Sequence, residues 1–445
     1  MSELPAATEL EPLLVQALEQ ARRGGATQAE ASLSVSRGLS VSVRQDEVES
    51  LEFQHDRELG VTVYIGQRKG NASTGDLSAT GIAGAVEAAL TIARATGEDA
   101  CHGLADAALM AREFPELDLD HPWPLAVDTA VDLARAMEAA AFAVDPRVRL
   151  SEGAAVNSHR SVSLYANSHG FIGRRLATSH GLSCAVVAQQ DQDMQRDYWY
   201  SSGRAAGDLE DPAAVGRRAG ERALARLGAQ RIATRQAPVL FVPQLARGLW
   251  GHFLAAISGG ALYRRSSFLL DQLGQPVFSP RVNLRQRPHL PRAAGSSAFD
   301  AEGVATRERA LVTDGVLQGW LLGSYSARRL GLPTTGNAGG VYNLVVEGAD
   351  RSFDELVRDM GEGLIVTELM GQGVNGVTGD YSRGAAGFWV RGGEIAHPVS
   401  GVSIAGNLRE MYRQIEGLGT DVEPYAGTRT GSVLVGRMTI AAGDA

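Results

Sequence analysis

The chain has 445 residues, 44% of them hydrophobic and 21% charged, which suggests two or three domains with a sizeable core. Its 42 basic and 51 acidic side chains leave a formal charge of −9, which disfavours general DNA binding by phosphate neutralisation. No segment approaches the ~18 unbroken apolar residues of a membrane span, the first residues lack the basic-then-apolar run of a secretory signal, and two cysteines cannot build a disulfide framework. The expectation is a soluble cytoplasmic protein.

Among the basic residues Lys69 is the one lysine. It is followed by Gly70 and Asn71, so a phosphate loop ending in Gly-Lys-Ser/Thr is excluded, as is a Schiff-base lysine at any other position. Lys69 itself reads as an ordinary surface residue. Glycine is abundant, 53 residues, and densest from Gly361 to Ile440, a composition of short strands and tight turns rather than helix.

In chain order, Leu10, Leu13, Leu14, Ala17 and Leu18 recur at helical spacing up to Gly24-Gly25. Alternating runs at Ala31–Arg37, Leu39–Arg44, Leu51–His55 and Leu59–Gly66 then read as antiparallel strands. A second helix starts near Ser78 and runs to Gly97. After a proline-containing linker at Glu113–Pro124, Val127–Val144 reads as a helix that stops at Asp145-Pro146. The next runs, Leu150–Asn157, Ser161–Ala166, Phe171–Arg175, Thr178–Gln189 and Arg196–Ser201, read as strands, and Pro212–Leu227 as the helix that closes the unit. A buried-type strand, Pro238–Val242, and an apolar helix, Leu245–Ile257, open the last part. The expected fold class is α+β: an N-terminal α+β domain over 1–112, a β-rich middle domain over 125–232, and a glycine-rich, β-dominated domain over 235–445.

Most chemical motifs are weak. Gly371-Gln372-Gly373-Val374-Asn375-Gly376 matches a dinucleotide fingerprint as a string, but turn and strand residues follow it where a helix is required. His159, His169 and His180 share the β-rich middle segment, though the turn at His169 gives them no reason to converge on a metal. Gly401-Val402-Ser403-Ile404-Ala405 misses a nucleophile elbow at its last position. Cys184 reads as core, and Cys101 beside His102 as a loop pair that need not face one another.

Several segments together resemble a known family. They include Leu262-Tyr263-Arg264-Arg265-Ser266-Ser267-Phe268, Phe299-Asp300-Ala301-Glu302-Gly303-Val304, Ser324-Tyr325-Ser326-Ala327-Arg328, Val366-Thr367-Glu368-Leu369-Met370-Gly371-Gln372-Gly373 and Thr378-Gly379-Asp380-Tyr381-Ser382-Arg383-Gly384. In order and over essentially the whole chain they are similar to the TldD/PmbA family, in its PmbA branch, also called TldE. The resemblance implies a cytoplasmic protein working with a TldD-like metalloprotease partner on unstructured peptides, in peptide maturation and antitoxin degradation; an older description of the family is modulator of DNA gyrase. In the TldD branch an H-E-x-x-x-H helix and a cysteine before a glycine hold the metal. Mapped here, the helix positions are His252, Phe253 and Ile257, and the cysteine position is Thr430 before Gly431. Two ligands and the general base are missing, so no catalytic residue, metal or cofactor is expected on this chain, and zinc is expected in the partner. Glu368, Gln372, Asp380 and Arg383, around the glycine-dense stretch, are the candidates for a peptide cleft or interface. A homodimer, a stand-alone metallopeptidase with other ligands, and a non-enzymatic regulator of DNA gyrase or its inhibitors are the alternatives.

Overall fold

A computed structural model describes residues 4–442. The first 225 residues build α1 (Ala7–Arg23), β1 (Gln28–Arg44), β2 (Glu47–Ile65), β3 (Arg68–Thr74), α2 (Ala79–Ala95), α3 (Val127–Phe142), β4 (Val148–Asn167), β5 (Ile172–Gln190), β6 (Asp193–Gly203) and α4 (Pro212–Ala225). All six strands form one antiparallel sheet in the order β3-β2-β1-β4-β5-β6. The strand runs read from the sequence as separate pieces are continuous. Arg37 pairs with His55 and Gly38 with Gln54, because the polar gaps sit between neighbours on both sides and their backbone groups complete the ladder. The first two sequence units therefore share a single sheet.

Alternation gives that sheet two unlike faces. On one face, Ala31, Leu33, Val35, Val61 and Val63 pack under Leu14 and Ala17 of α1 and Ile82, Val86 and Leu90 of α2. Farther along the same strands, Leu39, Val41, Val156, Leu182 and Cys184 pack under α3 and α4. Cys184 is core, as its strand pattern implied, and burial pushes its thiol up to about 12. The opposite face carries Glu30, Ser32, Gly60, Thr62 and Asn71, aligned by the register Glu30 to Thr62 and Thr62 to Asn71.

The remaining chain holds β7 (Arg235–Phe241), α5 (Pro243–Ala256), α6 (Gly259–Tyr263), β8 (Asn283–Gln286), β9 (Arg309–Thr313), β10 (Val316–Leu317), α7 (Ser324–Leu330), β11 (Leu344–Glu347), α8 (Phe353–Met360), β12 (Gly363–Met370), β13 (Asp380–Arg391), β14 (Glu394–Asn407), α9 (Leu408–Arg413), β15 (Ile415–Leu418), β16 (Thr428–Arg429) and β17 (Val433–Ala442). They form a five-stranded sheet, β10-β9-β8-β11-β16, and a six-stranded sheet, β14-β13-β12-β7-β17-β15. α5 packs on one face of the latter and α8 on the other. The fold class is the expected α+β, with a strand-rich C-terminal part; β12 and β7 run parallel inside an otherwise mainly antiparallel sheet.

Close approach of α3 and α4 depends on Gly216, where an added Cβ would lie 1.8 Å from the Met137 carbonyl oxygen. Gly216→Ala is expected to destabilise by about 1–3 kcal/mol, overriding its gain in helix propensity. Gly248→Ala, in the interior of α5 with open space around it, is expected to be neutral or stabilising by up to about 1 kcal/mol. Thermal and denaturant melting of the two variants checks both signs.

Candidate functional site

The helix onto which the family resemblance maps a metal site is α5. Pro243 opens it at a position where no intrahelical N–H is needed, and Ala246, Leu249, Trp250, Phe253 and Ala256 form its buried stripe. Phe253 sits edge-on to Phe278, with ring centroids 5.0 Å apart, and 6.4 Å from Tyr412. Tyr412 is sealed in this cluster, its hydroxyl donating to the Leu249 carbonyl at 2.7 Å; burial holds its pKa well above the usual phenol value. Ile257 is fully buried. Thr430 is also buried; its hydroxyl accepts the Trp250 indole N–H at 2.9 Å and donates to the Gly431 carbonyl. Phe253, Ile257 and Thr430 are thus spent on packing and on two internal hydrogen bonds.

His252 lies on the half-buried side of α5, its ring 6.1 Å from that of Tyr381 on β13. Burial, and then the positive charge of Arg383, push its pKa below the ordinary histidine value. A tetrahedral zinc site needs about four converging N, O or S donors at ~2.0–2.3 Å. Here one imidazole stands beside an arginine, and among the described residues no three His, Cys, Asp or Glu side chains come together to hold a metal. The donor set does not fit zinc.

The four cleft candidates lie on and around the β12–β13 hairpin, each in its own surroundings. Glu368 on β12 accepts a hydrogen bond from Arg226 at the end of α4, which also reaches Asp197 at 3.6 Å. Asp380 accepts from Thr378 at 2.6 Å and Asn407 at 3.0 Å, and these bonds hold its carboxyl below the usual range. Both carboxylates are engaged internally. Gln372 is exposed in the β12–β13 connection, and Arg383 is the one that approaches α5. The glycine string at 371–376 leads into β13 rather than a helix, as a turn reading requires.

The middle-segment histidines go to separate places. His180 bonds Ser158 Oγ and the His121 carbonyl, His169 the Ala105 carbonyl, and the His159 ring lies over Gly38, where a Cβ would clash with it. Lys69, by contrast, is not an ordinary surface residue. It is half-buried and lines a cavity of about 670 Å³ with Glu30, Tyr64, Tyr165, Glu302 and Tyr325. A second cavity of about 730 Å³, bordered by Leu254 and Ala255 of α5, shares Glu302, Tyr325 and Ala338 with it. The sequence signal for this site was the run of polar residues alternating with apolar ones on β1 and β2.

Thr430→Val should leave the buried Trp250 N–H without its acceptor and destabilise by about 1–3 kcal/mol, while Thr430→Ser retains the bond; denaturant melts separate the two. His252 should titrate below ~6.5 in a histidine proton NMR series. Because the folded state then binds fewer protons than the unfolded one, the His252 term leaves stability undiminished above ~6.5 and subtracts from it as pH falls further. A midpoint above that value would contradict the burial seen here.

Three family models match consecutive parts of the chain: the PmbA/TldA metallopeptidase domain 1 over residues 29–93, the central domain over 120–227 and the C-terminal domain over 234–442. The chain is 48% identical to the metalloprotease PmbA of Escherichia coli O157:H7 over 97% of its length and 96% of the relative's. Among solved structures, a candidate modulator of DNA gyrase from Bacteroides thetaiotaomicron superposes with a TM-score of 0.93 at 27% identity, covering 98% of this chain and 99% of that one. TldE from Thermococcus kodakarensis, at 20% identity and a TM-score of 0.84 over 97% of this chain and 100% of its own, shares the fold. Identity at this level over the full length, with all three domain models in order, makes this chain a member of the PmbA/TldD metallopeptidase family.

Proposed function

We propose that this chain is the non-catalytic subunit of a heteromeric peptidase, assembling with a TldD-like metalloprotease that carries the zinc and cleaves unstructured peptides. The observation that carries the reading is the filling of the metal-site positions: Phe253 and Ile257 are core residues, and Thr430 serves Trp250. Membership of a metallopeptidase family combined with a donor set unfit for zinc argues for activity supplied in trans. Arg383, beside His252 and Tyr381, is the residue of this chain best placed to meet a peptide passing the degenerate helix, and an arginine there can orient a carboxylate.

The test is metal analysis and peptide cleavage by the purified chain with and without a TldD-like partner. Expected are no stoichiometric zinc on the isolated chain, a complex at micromolar concentrations, and cleavage that needs both chains; Arg383→Glu should abolish cleavage and leave assembly intact. About one zinc per chain surviving dialysis and released by His252→Ala, or a partner that forms no complex and cleaves equally well alone, would overturn the reading.

A further inference from the structure

The polar face of the N-terminal sheet does not open freely to solvent. Loop 99–104 and the C-terminal part close over it and leave the cavity of about 670 Å³, well inside the range of small-molecule sites. Its floor is regular: Glu30 and Ser32 from β1, Gly60 and Thr62 from β2, Lys69 and Asn71 from β3. Its roof is tied down. Arg328 of α7 donates to the carbonyls of Cys101, Gly103 and Leu104, and the Tyr325 hydroxyl donates to Asp99 at 2.8 Å.

The charged groups inside are unequally satisfied. Both oxygens of Glu30 are occupied, by the Tyr64 hydroxyl at 3.0 Å and the Tyr165 hydroxyl at 2.7 Å. Lys69 is different: its ammonium donates no hydrogen bond and joins no ion pair among the described residues, although Glu30 feels its charge. On the roof side, one oxygen of Glu302 accepts the Ser324 N–H at 2.8 Å, while the other has no hydrogen-bond partner among the described residues. The Glu302 backbone is fixed, because Asp300 accepts the N–H groups of Glu302, Val304 and Ala338 at 2.9–3.0 Å.

An ammonium without a hydrogen-bond acceptor on the floor and a half-used carboxylate on the roof call for a ligand with both charges. A simple anion would meet Lys69 but also Glu30, Glu58 and Glu302; a simple cation would find the carboxylates but leave the Lys69 ammonium without a hydrogen-bond acceptor. A zwitterion satisfies both walls, and the hydroxyls and amide of Ser32, Thr62 and Asn71 between them suit an amide backbone. We propose that this cavity binds a small zwitterion, a free amino acid or a peptide of two or three residues, with its carboxylate on Lys69 and its ammonium on Glu302. The inference concerns this chain alone and does not depend on the proposed partnership.

The experiment is calorimetric titration of the full chain at neutral pH with trialanine, N-acetyl-trialanine and trialanine amide. Free trialanine should bind, and each blocked peptide should bind at least about tenfold more weakly. Lys69→Met should make the free peptide and the amide equivalent, and Glu302→Gln should do the same for the free and acetylated peptides, with melting curves confirming that both variants fold. Equal affinity of all three peptides for the unmodified chain, or no heat from any of them up to about 10 mM, would overturn the assignment without reference to either variant and without bearing on zinc or the TldD-like partner.

Discussion

A sheet whose strands alternate apolar and polar residues can bury only one face in a hydrocarbon core, and this molecule is arranged around that constraint. The strands β1, β2, β4 and β5 run 17 to 20 residues each, long enough to carry two helix pairs side by side on the apolar face. The two cores are therefore separate clusters on one shared sheet. The polar face must find water or a polar partner, and here it meets the C-terminal part across a lined cavity.

The junction between the N-terminal and C-terminal halves is built largely from arginines. Arg292 spans Asp118 and Asp208, Arg226 spans Asp197 and Glu368, and Arg328 gathers three carbonyls of loop 99–104. A planar guanidinium with five donors can serve several acceptors in fixed directions, which a lysine ammonium cannot do with the same geometry. The near-absence of lysine thus suits the architecture, whatever its origin. Lys69 stands apart because it is the one compact cationic head, and it projects into a cavity instead of bridging elements.

In α5 the positions to which the family resemblance assigns metal chemistry serve cohesion. Phe253, Phe278 and Tyr412 pack edge-on or tilted with ring centroids within 6.4 Å of one another, and the Trp250–Thr430 bond satisfies the indole N–H of the cluster. An aromatic cluster of this kind contributes stability through dispersion and burial, while a carboxylate or a second imidazole in the same place would need a metal or partner to offset its desolvation.

How far the sequence reached follows from which interactions are local. Helices were legible because their apolar residues recur every three or four positions and their ends carry local punctuation: Ser78 caps α2, Asp211 caps α4, and Gly24 follows α1. Strand identity was legible from alternation, whereas the mapping of metal-ligand positions onto Phe253, Ile257 and Thr430 came from the family resemblance. Strand continuity was not, because whether Ser36-Arg37-Gly38 turns or runs on depends on β2 and β4 pairing from both sides. Nor was the fate of Glu368 and Asp380, whose partners Arg226 and Asn407 lie 142 and 27 residues away. Lys69 looked like a surface residue because the neighbouring Gln67, Arg68, Gly70 and Asn71 form no apolar pattern around it; only the fold sets it opposite Glu302, more than two hundred positions along the chain. Local periodicity determined the elements, and long-range pairing decided which polar side chains face one another across an enclosed space.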